Sequence, residues 1–147
     1  MPKVMTREER ETFLAGVHVG LLSLSAGDDR GPVTTPLWYS YEPGGSVRFV
    51  TLPESRKARL IHATGRATLC AQSEGAPYRY VTVEGPVVEI GAPDDDWRRS
   101  LHRRYLGTEV GDQVFESVKD LLGDQVIFEL TPQRWTSSDY SEDFAQA

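Results

Sequence analysis

The chain has 147 residues, 39% hydrophobic and 26% charged, the make-up of one globular domain long enough to bury a core. A net charge of -6 argues against a nucleic-acid partner held by general electrostatics, because such proteins carry a basic face. The single cysteine, Cys70, excludes a disulfide framework and a cysteine-based metal site. No apolar run reaches membrane-spanning length and the start, Met1 to Arg7, lacks an apolar signal core, so no membrane partner and a cytoplasmic location are expected.

Thr6-Arg7-Glu8-Glu9 has the form of a capping box and predicts a short helix with Phe13 and Leu14 on its apolar side. Val17 to Ser25 alternates apolar with small or polar residues and reads as a strand, with a turn at Gly27 to Gly31. Val33 to Tyr41 returns as a second strand. Pro36 within it cannot donate to a ladder and demands an edge or a bulge. After the turn at Glu42 to Ser46, Val47 to Thr51 is the third strand, and a helix follows from Arg56 to Gly65.

Arg66 to Gln72 is the next strand. Tyr78 to Ile90 is the longest β pattern, with a bend expected at Gly85-Pro86. Two helices are predicted at Asp94 to Leu106 and Asp112 to Leu122, each closed by a glycine. In the first, Asp94 with Arg98 and Asp95 with Arg99 are spaced as exposed pairs, and Arg98, Arg99, Arg103 and Arg104 read as a solvated face. A last strand, Val126 to Thr131, precedes an acidic tail from about residue 138. Hairpin-spaced antiparallel strands with added helices predict a single domain over 1–147, mainly β with peripheral helices, in the form of a small barrel.

The stretch Val50 to Leu60 carries most chemistry. A strand ends, Pro53 breaks it, and Ser55 is placed to cap the helix that follows. Free amides of a first helical turn, the positive end of the helix dipole, and the Arg56 and Lys57 cations together make an anion site, for which a phosphate ester is the natural guest. Ser-Arg-Lys at a helix start also occurs as a solvated surface turn. Aromatic placement favours the site: Trp38, Tyr39 and Tyr41 crowd the second strand and Tyr78 and Tyr80 share a strand face, as a flat ring would want. His18, His62 and His102 are too scattered for a metal. Neither a Gly-x-Ser-x-Gly nucleophile nor a Gly-x-Gly-x-x-Gly turn is present. No metal and no acid–base residue is assigned.

These residues resemble the flavin/deazaflavin oxidoreductases of split β-barrel fold, the pyridoxamine 5'-phosphate oxidase-like superfamily. The resemblance lies in Phe49-Val50-Thr51-Leu52-Pro53-Glu54-Ser55-Arg56-Lys57-Ala58, similar to the family's phosphate-binding segment. It continues through Arg66-Ala67-Thr68-Leu69, Arg79 to Gly85, Arg104-Tyr105-Leu106-Gly107 and Pro132-Gln133-Arg134-Trp135. It implies a split β-barrel homodimer with cofactor sites at the interface and a small-molecule substrate. By the same likeness Thr51, Ser55, Arg56 and Lys57 hold the cofactor phosphate and Trp38 flanks the ring. Tyr80 and Trp135 approach from the other subunit.

The chain also departs from that family. Tyr80 stands where the oxidases have a glutamine, His62 to Gly65 replaces an Asn-x-x-x-Asn-Pro, and the chain continues after Trp135 into acidic rather than basic residues. Pro77 to Gly85 and the compact size are more similar to the branch that uses coenzyme F420, a deazaflavin. The resemblance therefore implies hydride transfer to or from an unsaturated small organic substrate. An FMN-dependent enzyme is the alternative within the family, and a non-catalytic flavin or haem carrier the alternative outside it.

Overall fold

The computed structural model describes residues 1–145, so the last two residues of the expected domain and tail, Gln146 and Ala147, lie outside the described residues. Seven strands run β1 (Gly20–Leu24), β2 (Val33–Leu37), β3 (Val47–Thr51), β4 (Arg66–Gln72), β5 (Arg79–Gly91), β6 (Val126–Leu130) and β7 (Arg134–Asp139). Five helices accompany them: α1 (Arg7–Ala15), α2 (Arg56–Thr64), α3 (Asp95–Leu106), α4 (Thr108–Val118) and α5 (Ser141–Ala145).

The strands form one antiparallel sheet in the order β2-β1-β4-β5-β6-β3, with β7 added on β5. β5 makes this a split barrel. Its first half lies between β4 and β7, and its second half pairs with β6. The change of partner falls at Gly85-Pro86, the expected bend. A Cβ on Gly85 would collide with the carbonyl oxygen of Thr131, so only glycine lets the β6–β7 corner cross here. Pro36 lies in β2, an edge strand of the ladder, opposite Leu21. Beyond it Ser40 and Arg48 exchange backbone hydrogen bonds of 2.8 and 3.0 Å and draw that edge against β3.

Alternation does the sorting. Leu22 and Leu24, Val47 and Phe49, Leu69 and Ala71, and Val81 and Val83 point inward from their strands. α2 closes one end of this core with Ala58 and Ile61, and α1 contributes Phe13 and Leu14. The Thr6 capping box forms as expected. Inside the barrel, the Tyr39 hydroxyl donates to the Leu14 carbonyl at 2.7 Å, and its burial raises the phenol well above the usual range.

Four expectations fail. α4 begins at Thr108, not Asp112, because Gly107 serves both as the end of α3 and the start of α4. β7 replaces coil after Thr131: Arg-Trp-Thr-Ser-Ser-Asp is too polar to read as a strand, yet it borrows its ladder from β5. The pairs Asp94–Arg98 and Asp95–Arg99 do not form. Asp94 caps α3 by accepting from the Trp97 amide at 2.8 Å, and Arg98 lies 3.7 Å from Asp95 instead. Nor is the arginine face solvated. Arg99 reaches Glu116 at 2.6 Å, Arg103 grips both oxygens of Asp112 at 2.6 and 2.9 Å, and Arg104 donates to the Ala15 and Gly16 carbonyls. Among the described residues no helix is long and apolar enough to cross a membrane.

Candidate functional site

β3 delivers the chain to the turn with Thr51 buried at its last position. The Ser55 amide donates to the Leu52 carbonyl at 3.0 Å, which closes the turn. Ser55 is extended (φ -67°, ψ 159°) and its Oγ accepts from the Ala58 amide at 3.1 Å, so it is the N-cap the sequence predicts. Thr51 Oγ1 lies 3.0 Å from Ser55 Oγ and fixes that hydroxyl from the strand side. The amides of Arg56 and Lys57 fall in the first turn, where a helix has no carbonyl to offer them.

The electrostatics follow from what is missing around these cations. The first turn of α2 has no acidic residue, and neither Arg56 nor Lys57 makes an ion pair among the described residues. Arg59 is turned back onto the Glu54 carbonyl at 3.2 Å. Beside the turn is a hollow of about 370 Å3 lined by Leu52, Pro53, Glu54, Ser55 and Asp124. Its two carboxylates, Glu54 and Asp124, oppose an anion within this hollow.

Trp38 lies close by. Continuing the Ser40–Arg48 register sets it opposite Val50, and both line an apolar cleft of about 270 Å3 with Leu37, Leu101, His102 and Leu122. The indole is not free to turn. It stacks on Tyr105 of α3 at 4.8 Å and 4° and meets His102 edge-on at 5.4 Å. The Tyr105 hydroxyl accepts from the Tyr39 amide at 3.0 Å and donates to the His18 carbonyl at 2.7 Å, which anchors the helix to the barrel. The segment after α4 joins cleft and turn: Leu122 lines the first and Asp124 the second.

The remaining candidates stand elsewhere. Tyr80 lies on β5 between Gln72 and Ser138, whose hydroxyl is 3.4 Å from its own. Trp135 lies on β7 opposite Val83, beneath the Arg10 guanidinium and edge-on to Tyr41. Thr51 pairs with Val126 at the start of β6, whereas Trp135 follows the end of that strand. One chain therefore gathers Trp38, Thr51, Ser55, Arg56 and Lys57, and holds Tyr80 and Trp135 apart from them.

Sequence reasoning missed His102 as a wall of the cleft and Tyr105 as the support on which Trp38 stacks. Their three-residue spacing on one face of α3 was the available signal. His102 Nδ1 is 2.9 Å from the Arg98 carbonyl, an acceptor only, so that nitrogen carries a proton. Burial lowers the affinity of His18 for its proton, against the Phe13 carbonyl that raises it. Among the described residues no three His, Cys, Asp or Glu side chains are grouped as a metal ion requires.

A family profile described as pyridoxamine 5'-phosphate oxidase matches residues 6–139. No curated protein matches the sequence. Among solved structures, a conserved hypothetical protein from Mycobacterium tuberculosis superposes with a TM-score of 0.76 at 22% identity, over 95% of this chain and 88% of its own. An FAD-binding protein from Mesorhizobium loti gives 0.66 at 18%, over 95% and 96%. A protein described as F420 reductase gives 0.66 at 23%, over 85% and 94%. At these identities the likeness is one of fold.

Proposed function

The chain belongs to the pyridoxamine 5'-phosphate oxidase family, and on that premise we propose that it is an oxidoreductase that uses a phosphorylated flavin-type cofactor. Within that class the reading is coenzyme F420, with hydride moved to or from an unsaturated small organic substrate. The observation that carries it is the helix start with two uncommitted cations, Arg56 and Lys57, set beside an apolar aromatic cleft.

The residues fit such a group. Ser55 and the first-turn amides of α2 are donors to phosphate oxygens, Arg56 and Lys57 supply charge, and Thr51 orients the Ser55 hydroxyl. Glu54 and Asp124 repel such a group from the hollow that they line. Trp38, held by Tyr105, is a rigid wall for a flat ring. The bound cofactor supplies the hydride chemistry, and the protein contributes orientation and exclusion of water.

The cleft's 270 Å3 falls below the ~300–1,000 Å3 usual for ligand pockets, so one chain encloses only part of a tricyclic ring. A second copy, bringing Tyr80 and Trp135, completes the enclosure in this reading. The choice of F420 over FMN is supported by the Pro77 to Gly85 segment and by the F420 reductase among similar folds.

Titrating purified protein separately with coenzyme F420, FMN and haem tests the reading. F420 is expected to bind most tightly, and tight FMN with no F420 affinity would reverse the choice of cofactor. Lys57→Ala should weaken binding about ten- to a hundredfold, the loss of one charge-assisted contact of ~1.5–3 kcal/mol. Unchanged affinity in that variant removes the phosphate site. Sizing of the same samples should give a dimer.

A further inference from the structure

α1 brings two arginines to the corner where the β2–β3 connection meets the β6–β7 bend. Arg7, Arg10, Tyr41, Ser46, Pro132 and Trp135 are among the residues lining a cavity of about 210 Å3 there. The two cations differ in their commitments. The Arg7 side chain is 80% exposed and pairs with Glu11, which also lines the cavity, at 3.5 Å. Arg10 is half-buried, with its guanidinium carbon 4.6 Å from the centroid of the Trp135 ring. Its Nε is shielded from solvent without an acceptor, and no carboxylate or carbonyl meets its other nitrogens among the described residues.

That combination is not shared. Arg98 and Arg104 also have shielded Nε atoms, but Arg98 donates to the Gly123 carbonyl and Arg104 to those of Ala15 and Gly16. A guanidinium has five donors in a planar fork, and withdrawing one edge from water without an acceptor is unfavourable. The indole face recovers part of that loss and fixes the plane of the group. It leaves the terminal nitrogens as uncommitted donors on a partly desolvated cation, the arrangement that a two-oxygen anion completes. Burial raises the Tyr41 phenol above its ordinary range, so near neutral pH its hydroxyl is a neutral donor on the same cavity.

We infer that this corner is an anion-binding site for a carboxylate or phosphate group, with Arg10 as the principal contact, Arg7 as a second charge and Tyr41 as a hydroxyl donor. Within one chain it is separate from the α2 turn: Thr51 faces the start of β6, and this cavity lies past its end at Thr131–Pro132, while in the proposed dimer its Trp135 wall also reaches the partner's cofactor cleft.

The test is an NMR titration of the full chain, following the Arg10 Nε–H resonance against inorganic phosphate and, separately, succinate at constant ionic strength. A saturable shift with either probe supports the site. Phosphate alone names a phosphate ester as the class, succinate alone a carboxylate, and both an anion site selecting by charge. Arg10→Gln should weaken whichever binding is seen at least tenfold, and Arg7→Gln less. The Arg10 shift must persist in Lys57→Ala, in which the α2 turn is weakened. No shift with either probe through millimolar concentrations, or a shift lost in Lys57→Ala, overturns the proposal. Should Arg10→Gln not fold, the titration of the unaltered chain still decides.

Discussion

The start of α2 and the α3–α4 pair each place several cations on a short helix, and they use them in opposite ways. On α3, Arg99 and Arg103 hold Glu116 and Asp112 of α4, and Arg104 is bound to the end of α1. On α2, Arg56 and Lys57 have no partner carboxylate among the described residues and sit where the helix itself is positive. A count of basic residues does not separate the two regions. What separates them is whether the fold brings acceptors to the cations. The first cluster assembles the molecule, and the second is left with donors to spare.

Separating α3 from α4 should break this contrast most severely. A Cβ on Gly111 would lie 2.8 Å from the Arg103 backbone, so Gly111→Val forces the helices apart. The expected loss is ~2–3 kcal/mol, at the upper part of the usual overpacking range, read from urea denaturation. A variant as stable as the parent would mean that the crossing is not as close as described. Tyr105→Phe comes next. It keeps the ring that stacks on Trp38 but leaves the part-buried Tyr39 amide without its acceptor and the His18 carbonyl without its donor, with a cost of ~1–2 kcal/mol read from urea denaturation.

The smallest effect concerns acid. Arg103 and then Arg99 hold the Asp112 carboxyl below its ordinary 3.8, and Lys119 with Arg99 holds Glu116 below 4.5. A carboxyl depressed in the folded state adds stability above the ordinary carboxylate range and loses it as pH falls through the folded value. Thermal melts between neutral pH and about pH 3 should therefore show an acid-side slope that Arg103→Ala flattens. Arg56→Ala should leave that slope as it is, because Arg56 has no folded-state carboxylate to release. Equal flattening by both would erase the distinction between the clusters.

Much of the fold was legible because its signals are local. Thr6 and Glu9 form a capping box from their own turn, Ser55 caps α2 from one residue before it, and alternation in Val47–Thr51 sorts its side chains by the pleat alone. The bend of β5 could be read from Gly85-Pro86, although the crossing at Thr131 that requires the glycine could not. β7 was illegible for the complementary reason. Its polar residues acquire a strand from β5, and its one buried side chain, Ser137, is satisfied by the Met5 amide at 3.0 Å from across the chain.

The candidate site divides along the same line. The composition, the order of strands and helices as far as β6 and the Ser55-Arg56-Lys57 helix start were determined by the sequence itself, since propensity, capping and charge act over a few residues. Tertiary structure alone decided that Trp38 is pinned by Tyr105, that His102 and Leu122 share its cleft, and that the α3 arginines are consumed inside the molecule. Those outcomes depend on which distant side chains and carbonyls arrive as partners, and a partner's arrival is a property of the packed chain.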